Sequence, residues 1–117
     1  FHRVVKGFVI QGGFLPTRTE PLDITQDRYI RKMAPEFNDI QHDKGTVSLA
    51  HGDDPASGDT SFFIVLARTP VLDGKYSAFG KVVEGMDVVE KIEQVPVNGE
   101  TPTMRVELKK VTVSKVP

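Results

Sequence analysis

The stretch FHRVVKGFVIQGG, residues 1–13, decides the fold of this chain. It contains two short apolar runs, Phe1–Val5 and Phe8–Gln11, which predict two strands joined by a turn. Arg3 and Gln11 stand among these apolar residues, and a Gly-Gly pair follows them. Burying a guanidinium or an amide in a strand is costly unless a partner or a function uses it. We therefore expect these two side chains to serve a site.

The rest of the sequence alternates short apolar runs with turn signals, a pattern typical of a mainly β barrel or sandwich. One run has apolar residues at helical spacing and predicts a short amphipathic helix. The predicted elements are strands at Thr46–Ala50, Ser61–Leu66 and Ala78–Val83, a helix over residues 86–93, tight turns at Asp73-Gly74 and Asn98-Gly99, and two half-strands over residues 104–113 with a bulge at Lys109-Lys110.

Residues 14–44 form a polar stretch with little periodicity. They predict a long excursion with at most one short strand, and loops of this length are usually functional or mobile. Its basic residues could contact a bound substrate or an acidic partner, although a solvated loop is the simpler interpretation. They are Arg18, Arg28, Arg31 and Lys32.

Composition excludes several classes of function. A net charge of −1 gives no basic surplus for nucleic acid or an anionic membrane, and no apolar run approaches the ~20 residues of a membrane span. The absence of cysteine removes disulfides, cysteine metal sites and thiol nucleophiles. It leaves the compartment open, since a cytoplasmic, a periplasmic and a secreted protein are all compatible with it.

The sequence gives weak support to two other kinds of site, a zinc site and a hydrolase triad. His2, His42 and His51 lack the second ligand at helical spacing that a zinc site would need, so we predict no metal and no cofactor. Ser48, His51 and Asp53 are the residue types of a hydrolase triad, but they lie too close together at the end of one strand to act as nucleophile, base and orienting acid.

The phenylalanines are more informative. Alternation along a strand places Phe62 and Phe63 on opposite faces, so one can belong to the core while the other lines a surface. Phe1, Phe62 and Phe79 are predicted to be core residues. A ring on a surface near Arg3 describes an apolar pocket with a few polar groups, the usual form of a binding site.

Taken together, these motifs resemble the cyclophilins, the family of cyclophilin-type peptidyl-prolyl cis-trans isomerases, in a bacterial-like form. Phe-His-Arg, Gly-Phe and Gln-Gly-Gly at fixed offsets are specific, and the resemblance covers most of the chain outside residues 14–40. The segments that carry it are FHRVVKGFVIQGG at 1–13, GTVSLA at 45–50, SFFI at 61–64, LDGKYSAFGKVVEGMDVVEKI at 72–92 and the final β segment.

The resemblance implies a closed antiparallel barrel of eight strands with a helix covering each end. The two strands and the first helix that precede Phe-His-Arg in the family are absent from this chain. We therefore expect residues 1–117 to be an N-terminally incomplete isomerase domain, either the larger part of a longer protein or one whose missing elements are supplied otherwise. PEFND at 35–39 resembles an acidic-Phe turn of the family.

The resemblance also assigns site residues position by position. It implies that Arg3, Gln11 and Phe8 carry catalysis, and that seven further positions bind substrate. These are Val9, Ala50, Ser61, Phe63, Val71, Leu72 and Tyr76.

Four of these positions depart from the family pattern, in which they are methionine, glutamine, an aromatic residue and histidine. Val71 stands where many eukaryotic members have tryptophan, and its lack of an indole N–H argues against tight binding of cyclosporin-type inhibitors more than against catalysis. Tyr76 keeps a ring with a polar tip. The other two departures are Val9, where the family has methionine, and Ser61, where it has glutamine.

The implied function is rotation about X–Pro bonds, with proline-containing peptides and unfolded or folding proteins as partners. We expect a monomer that binds neither nucleic acid nor membrane. The alternatives are a catalytically weak module that binds proline-containing peptides, which the four departures motivate, and a non-functional fragment, which would melt without a cooperative transition.

Overall fold

The chain is built around an antiparallel five-stranded sheet in the computed structural model. The structure describes residues 1–18, 20, 22–28, 30–32, 40–52, 54, 58 and 60–114. Its elements are β1 (Arg3–Val5), β2 (Val9–Gly12), a 3-10 turn (Leu15–Thr17), α1 (Ile24–Asp27), β3 (Thr46–Leu49), β4 (Phe62–Val65), a second 3-10 turn (Pro70–Leu72), β5 (Ser77–Lys81), α2 (Met86–Glu93), β6 (Val97–Asn98) and β7 (Thr101–Pro102).

The strands are ordered β1-β2-β4-β3-β5, and every neighbouring pair is antiparallel. All five strands were predicted from the sequence, with ends that differ by one or two residues. A separate pair, β6 and β7, forms a hairpin at the predicted Asn98-Gly99 turn. The predicted closure of the sheet into a barrel stays a prediction, because the pairings among the described residues end at β1 and β5.

Side-chain alternation divides the sheet into two apolar faces. One face carries a buried cluster that includes Ile10 and Ile64, against which Phe62 packs. The opposite face carries a second cluster that includes Val9 and Phe63. The prediction that Phe62 and Phe63 point to opposite faces is confirmed. We call these the helix-side cluster (Val4, Ile10, Ile64, Leu66, Val89) and the pocket-side cluster (Val9, Phe63, Val65, Leu72).

Helix α2 covers the helix-side cluster and occupies the predicted span, residues 86–93. Val89 is buried against the sheet, and Met86 and Ile92 pack beside it, which is the i, i+3, i+6 stripe read from the sequence. Asp87 lies in the first turn and Lys91 in the last, as the helix dipole favours. Among the described residues, no helix has the length and apolar character needed to cross a membrane.

The Gly-Gly pair after β2 has a steric explanation. Gly13 has a φ of +81°, and a Cβ at this position would collide with the carbonyl oxygen of Thr60. The Thr60 hydroxyl donates a hydrogen bond of 2.7 Å to the Gly13 carbonyl, which joins the two segments closely. Only glycine combines this left-handed backbone with so close an approach.

The predicted final strand over residues 104–113 is wrong. This segment has no strand in the structure, and Met104 and Val113 are 80% and 90% exposed. A strand exists only where its backbone pairs with a neighbour, and in the described part of the chain this segment forms no ladder. The backbone nitrogen of Phe1 donates to the Val106 carbonyl at 2.7 Å, which holds the segment near the start of β1.

The described residues between 14 and 44 contain the Leu15–Thr17 turn and α1; the Asp23 and Gln26 side chains form a capping box that favours a helix there. One smaller prediction is corrected. Phe79 is 64% exposed on the outer strand β5 and is not a core residue. Residues 35–39 lie outside the described residues.

Candidate functional site

A small cavity of about 90 Å³ opens on the pocket-side face of the sheet. Seven of the ten residues predicted for the site line it, and His51 is an eighth lining residue that the sequence analysis did not assign. The seven are Arg3, Val9, Gln11, Ala50, Phe63, Leu72 and Tyr76.

Strand register brings these residues together. Arg3 lies opposite Gln11, Gln11 opposite Phe63, and Phe63 opposite Ser48, so one row crosses four strands. Residues directly opposite in antiparallel strands project from the same face with Cβ atoms ~4.5–5.5 Å apart. The sheet therefore places a guanidinium, an amide and an aromatic ring side by side although they are far apart in sequence.

Arg3 is held by two side chains. Its Nη1 donates to Oε1 of Gln11 at 3.2 Å, and its Nε donates to Oε1 of Glu100 at 2.9 Å. The Arg3 side chain is 36% exposed, so it stands at the cavity rim and not in the core. At the rim Arg3 presents a planar fork of hydrogen-bond donors to the cavity.

A buried hydrogen-bond chain lies behind the pocket. Nδ1 of His42 lies 3.1 Å from Oδ1 of Asp73, to which it donates because a carboxylate can only accept, and Nε2 of His42 is hydrogen-bonded to the Ser48 hydroxyl at 3.0 Å. His42 and Ser48 are fully buried. The His42 ring stacks on Phe63 at a centroid distance of 6.1 Å, so the chain supports the aromatic wall of the cavity.

Asp73 connects this hydrogen-bond chain to the predicted turn at Asp73-Gly74. Its Oδ2 accepts from Nη2 of Arg68 at 2.7 Å, and its Oδ1 accepts from the backbone N–H of His42 at 2.7 Å. The Arg68 bond first, and then the His42 N–H, lower the pKa of Asp73 from its ordinary value of 3.8 to about 2.

The lowered pKa of Asp73 predicts an acid-dependent loss of stability. Because the carboxylate is favoured in the folded state, its contribution is present above pH 3.8 and is lost as the pH falls from there through about 2. We expect Asp73→Asn to flatten the dependence of the free energy of unfolding on pH in this window, measured by urea titration. A slope equal to that of the unchanged protein would contradict the assignment, and Asp54→Asn serves as the matched control.

Aromatic stacking forms another wall of the cavity. The His51 and Tyr76 rings stack at 4.3 Å, and Phe63 meets Tyr76 edge-on at 5.4 Å. The ring nitrogens of His51 lie 2.7 Å from the Gly52 carbonyl oxygen and 3.1 Å from that of Lys75. A sequence signal for His51 existed, since it follows Ala50 directly at the end of β3.

Three predicted site residues do not line the cavity. Phe8 is half-buried and packs against the pocket-side cluster. Ser61 accepts the Ala50 N–H through its carbonyl at 2.9 Å, which fixes the end of β3 beside the cavity. Val71 is 62% exposed. Glu100 is a further contact of the site that sequence reasoning missed, because it lies 97 positions from Arg3.

The hydrolase hypothesis is not supported by the geometry. Ser48 bonds to His42 and not to His51, and its hydroxyl is fully buried, so a substrate cannot reach it. Asp53 lies outside the described residues. A larger cavity of about 750 Å³ runs between Phe1 and residues 101–109, but it contains none of the ten predicted site residues.

Sequence comparison matches residues 1–113 to the family described as cyclophilin type peptidyl-prolyl cis-trans isomerase/CLD. The chain is 39% identical over 102 residues to peptidyl-prolyl cis-trans isomerase CYP23 of Arabidopsis thaliana, covering 86% of this chain and 45% of that protein. It is 34% identical over 124 residues to peptidyl-prolyl cis-trans isomerase-like 3 of Gallus gallus, covering 100% of this chain and 73% of that protein.

Structure comparison finds the same similarity. A crystal structure of a Cryptosporidium parvum cyclophilin type peptidyl-prolyl cis-trans isomerase, determined in the presence of the dipeptide Ala-Pro, superposes with a TM-score of 0.73 at 29% identity. The superposition covers 88% of this chain and 66% of that one. The chain thus spans from under half to about three-quarters of the length of these relatives.

Proposed function

The chain belongs to the cyclophilin-type peptidyl-prolyl cis-trans isomerase family, and from this premise we propose that residues 1–117 form a domain that catalyses rotation about X–Pro bonds. Its substrates are proline-containing segments of peptides and of unfolded or folding proteins. The observation that supports the proposal most is the convergence of Arg3, Gln11 and Phe63 on one cavity.

The reaction requires little from a protein beyond substrate binding and a hydrogen-bond donor aimed at the amide nitrogen. Delocalisation of the nitrogen lone pair gives the peptide bond a rotation barrier of ~18–20 kcal/mol. Rotation passes through a twisted amide with a pyramidal nitrogen and a localised lone pair. No nucleophile or proton transfer is required, so a donor aimed at that nitrogen lowers the barrier by binding the twisted amide more tightly than the planar one.

The cavity contains groups suited to both tasks. Phe63, Leu72 and Val9 are buried apolar side chains that would hold the pyrrolidine ring. Arg3 at the rim would donate to the amide nitrogen as its lone pair localises, and Gln11, already bonded to Arg3, would hold the substrate carbonyl. The pyrrolidine ring and the acyl group are thereby held by different residues while the bond between them rotates.

The second candidate function is capture of proline-containing segments with little turnover. The substitutions at Val9, Ser61, Val71 and Tyr76 favour it. Retention of Arg3 at the same cavity favours the enzyme, since a proline pocket needs no cation at its rim for binding alone.

Two-dimensional exchange NMR on a short peptide with one Ala-Pro bond separates the two functions. Uncatalysed exchange takes tens of seconds or longer, so catalytic amounts of the protein should produce cis–trans exchange cross-peaks that are absent from the peptide alone. Binding shifts without exchange cross-peaks would support capture and contradict the isomerase proposal.

A further inference from the structure

The β6–β7 hairpin places Glu100 against β1. Gly99, with a φ of +70°, and Glu100 form its two-residue loop, and a glycine with positive φ in the first loop position is the pattern of a type II′ hairpin. The backbone carbonyl of Glu100 accepts from the Val4 N–H at 2.7 Å. The loop is therefore bonded to the strand that carries Arg3, independently of the glutamate side chain.

The Glu100 carboxylate completes a two-point hold on the guanidinium. Oε1 of Glu100 accepts from Nε of Arg3, and Oε1 of Gln11 accepts from Nη1. Hydrogen bonds at two of its nitrogens restrain the orientation of the planar guanidinium. Among the described residues, Nη2 donates no hydrogen bond to the protein and is left for a substrate.

We propose that Glu100 is a positioning residue for Arg3 and that its carboxylate sets the direction in which the guanidinium meets the substrate amide. The proposal rests on the isomerase function proposed above and adds a residue on the C-terminal hairpin to its site. Glu100 does not touch the substrate; it acts through Arg3, which must be aimed before the amide twists.

The chain offers a matched ion pair for comparison. Lys44 and Glu90 lie 2.6 Å apart, with side chains 53% and 51% exposed, and neither lines the cavity. The Arg3–Glu100 pair is comparably accessible, at 36% and 54%. Exposed pairs contribute little to stability, so removing either one should leave folding intact, while only Glu100 should affect turnover.

The test compares Glu100→Ala, Glu100→Gln and the control Glu90→Ala by exchange NMR on the Ala-Pro peptide. We expect Glu100→Ala to lower the catalysed exchange rate at saturation roughly tenfold, with little change in the peptide concentration at half-saturation. Glu100→Gln keeps an oxygen that can accept from Nε and should lose less. Glu90→Ala should retain the rate of the unchanged protein.

A spectroscopic readout separates positioning from a structural effect. The Nε–H signal of Arg3 in a ¹H–¹⁵N spectrum should move and exchange faster with water in Glu100→Ala, and should stay protected in Glu90→Ala. The proposal would be overturned if the Nε–H signal of Arg3 did not move in Glu100→Ala. It would also be overturned if the cis–trans exchange rate catalysed by this variant lay within about twofold of the unchanged protein's.

The activities of the unchanged protein and of Glu100→Ala also keep the two proposals distinguishable. If the unchanged protein does not catalyse exchange, the isomerase proposal fails and the positioning of Arg3 for catalysis fails with it. If the protein is active and Glu100→Ala is equally active, only the role of Glu100 is lost. A thermal melt of each variant checks that the fold is retained.

Discussion

Replacing Arg3 with alanine is expected to reduce the catalysed rate of X–Pro exchange about 10²–10³-fold, by analogy with removing one preorganised transition-state donor. Arg3 is half-exposed at the rim and belongs to neither buried cluster, so the variant should fold and melt much as the unchanged protein does. Peptide binding should weaken less than turnover, since the buried apolar side chains of Val9, Phe63 and Leu72 stay in place. Exchange NMR gives both quantities in one titration.

Two further variants make the Arg3 experiment specific. Arg3→Lys keeps the charge but loses the planar fork that Gln11 and Glu100 hold, so it should restore only part of the rate. Arg18→Ala removes an arginine that lies outside this cavity and should leave the rate unchanged. Full activity in Arg3→Ala would remove Arg3 from the mechanism and would favour a site built on apolar contacts alone.

The sequence predicted the strands and the directions of their side chains well, because that information is local. Apolar alternation placed β2 and β4 and assigned Phe62 and Phe63 to opposite faces, because side-chain direction in a strand depends only on parity. Helix α2 followed from spacing in the same way. Seven of the eight residues that line the cavity came from motif positions, and His51 did not.

What the sequence could not supply depends on contacts between distant segments. Glu100 carries no motif, and its relation to Arg3 appears only when the hairpin docks on β1. The alternation over residues 104–113 was real, but a strand needs a partner that the described residues do not provide. His42 gave no periodicity signal, yet it is one of the most buried side chains in the described chain.

Replacing His42 with alanine is expected to cost about 3–5 kcal/mol of stability. The change removes a fully buried ring that stacks on Phe63 and leaves a void that close-packed neighbours fill only in part. It also leaves the buried Ser48 hydroxyl without its partner. For a marginally stable domain this loss is a large fraction of the total, and the melting temperature should fall by roughly 10 °C or more.

A double mutant shows whether the stability lost in His42→Ala comes from the broken hydrogen-bond chain or only from the removed side-chain volume. If the stranded Ser48 hydroxyl is part of the cost, Ser48→Ala should be less destabilising in the His42→Ala background than alone, and the coupling should be ~0.5–3 kcal/mol. Lys44→Ala, an exposed change two positions away, should cost under about 1 kcal/mol. Urea unfolding measures the four variants and the unchanged protein. Strictly additive losses would show that Ser48 and His42 do not act as one unit, and the support of Phe63 would then come from packing alone.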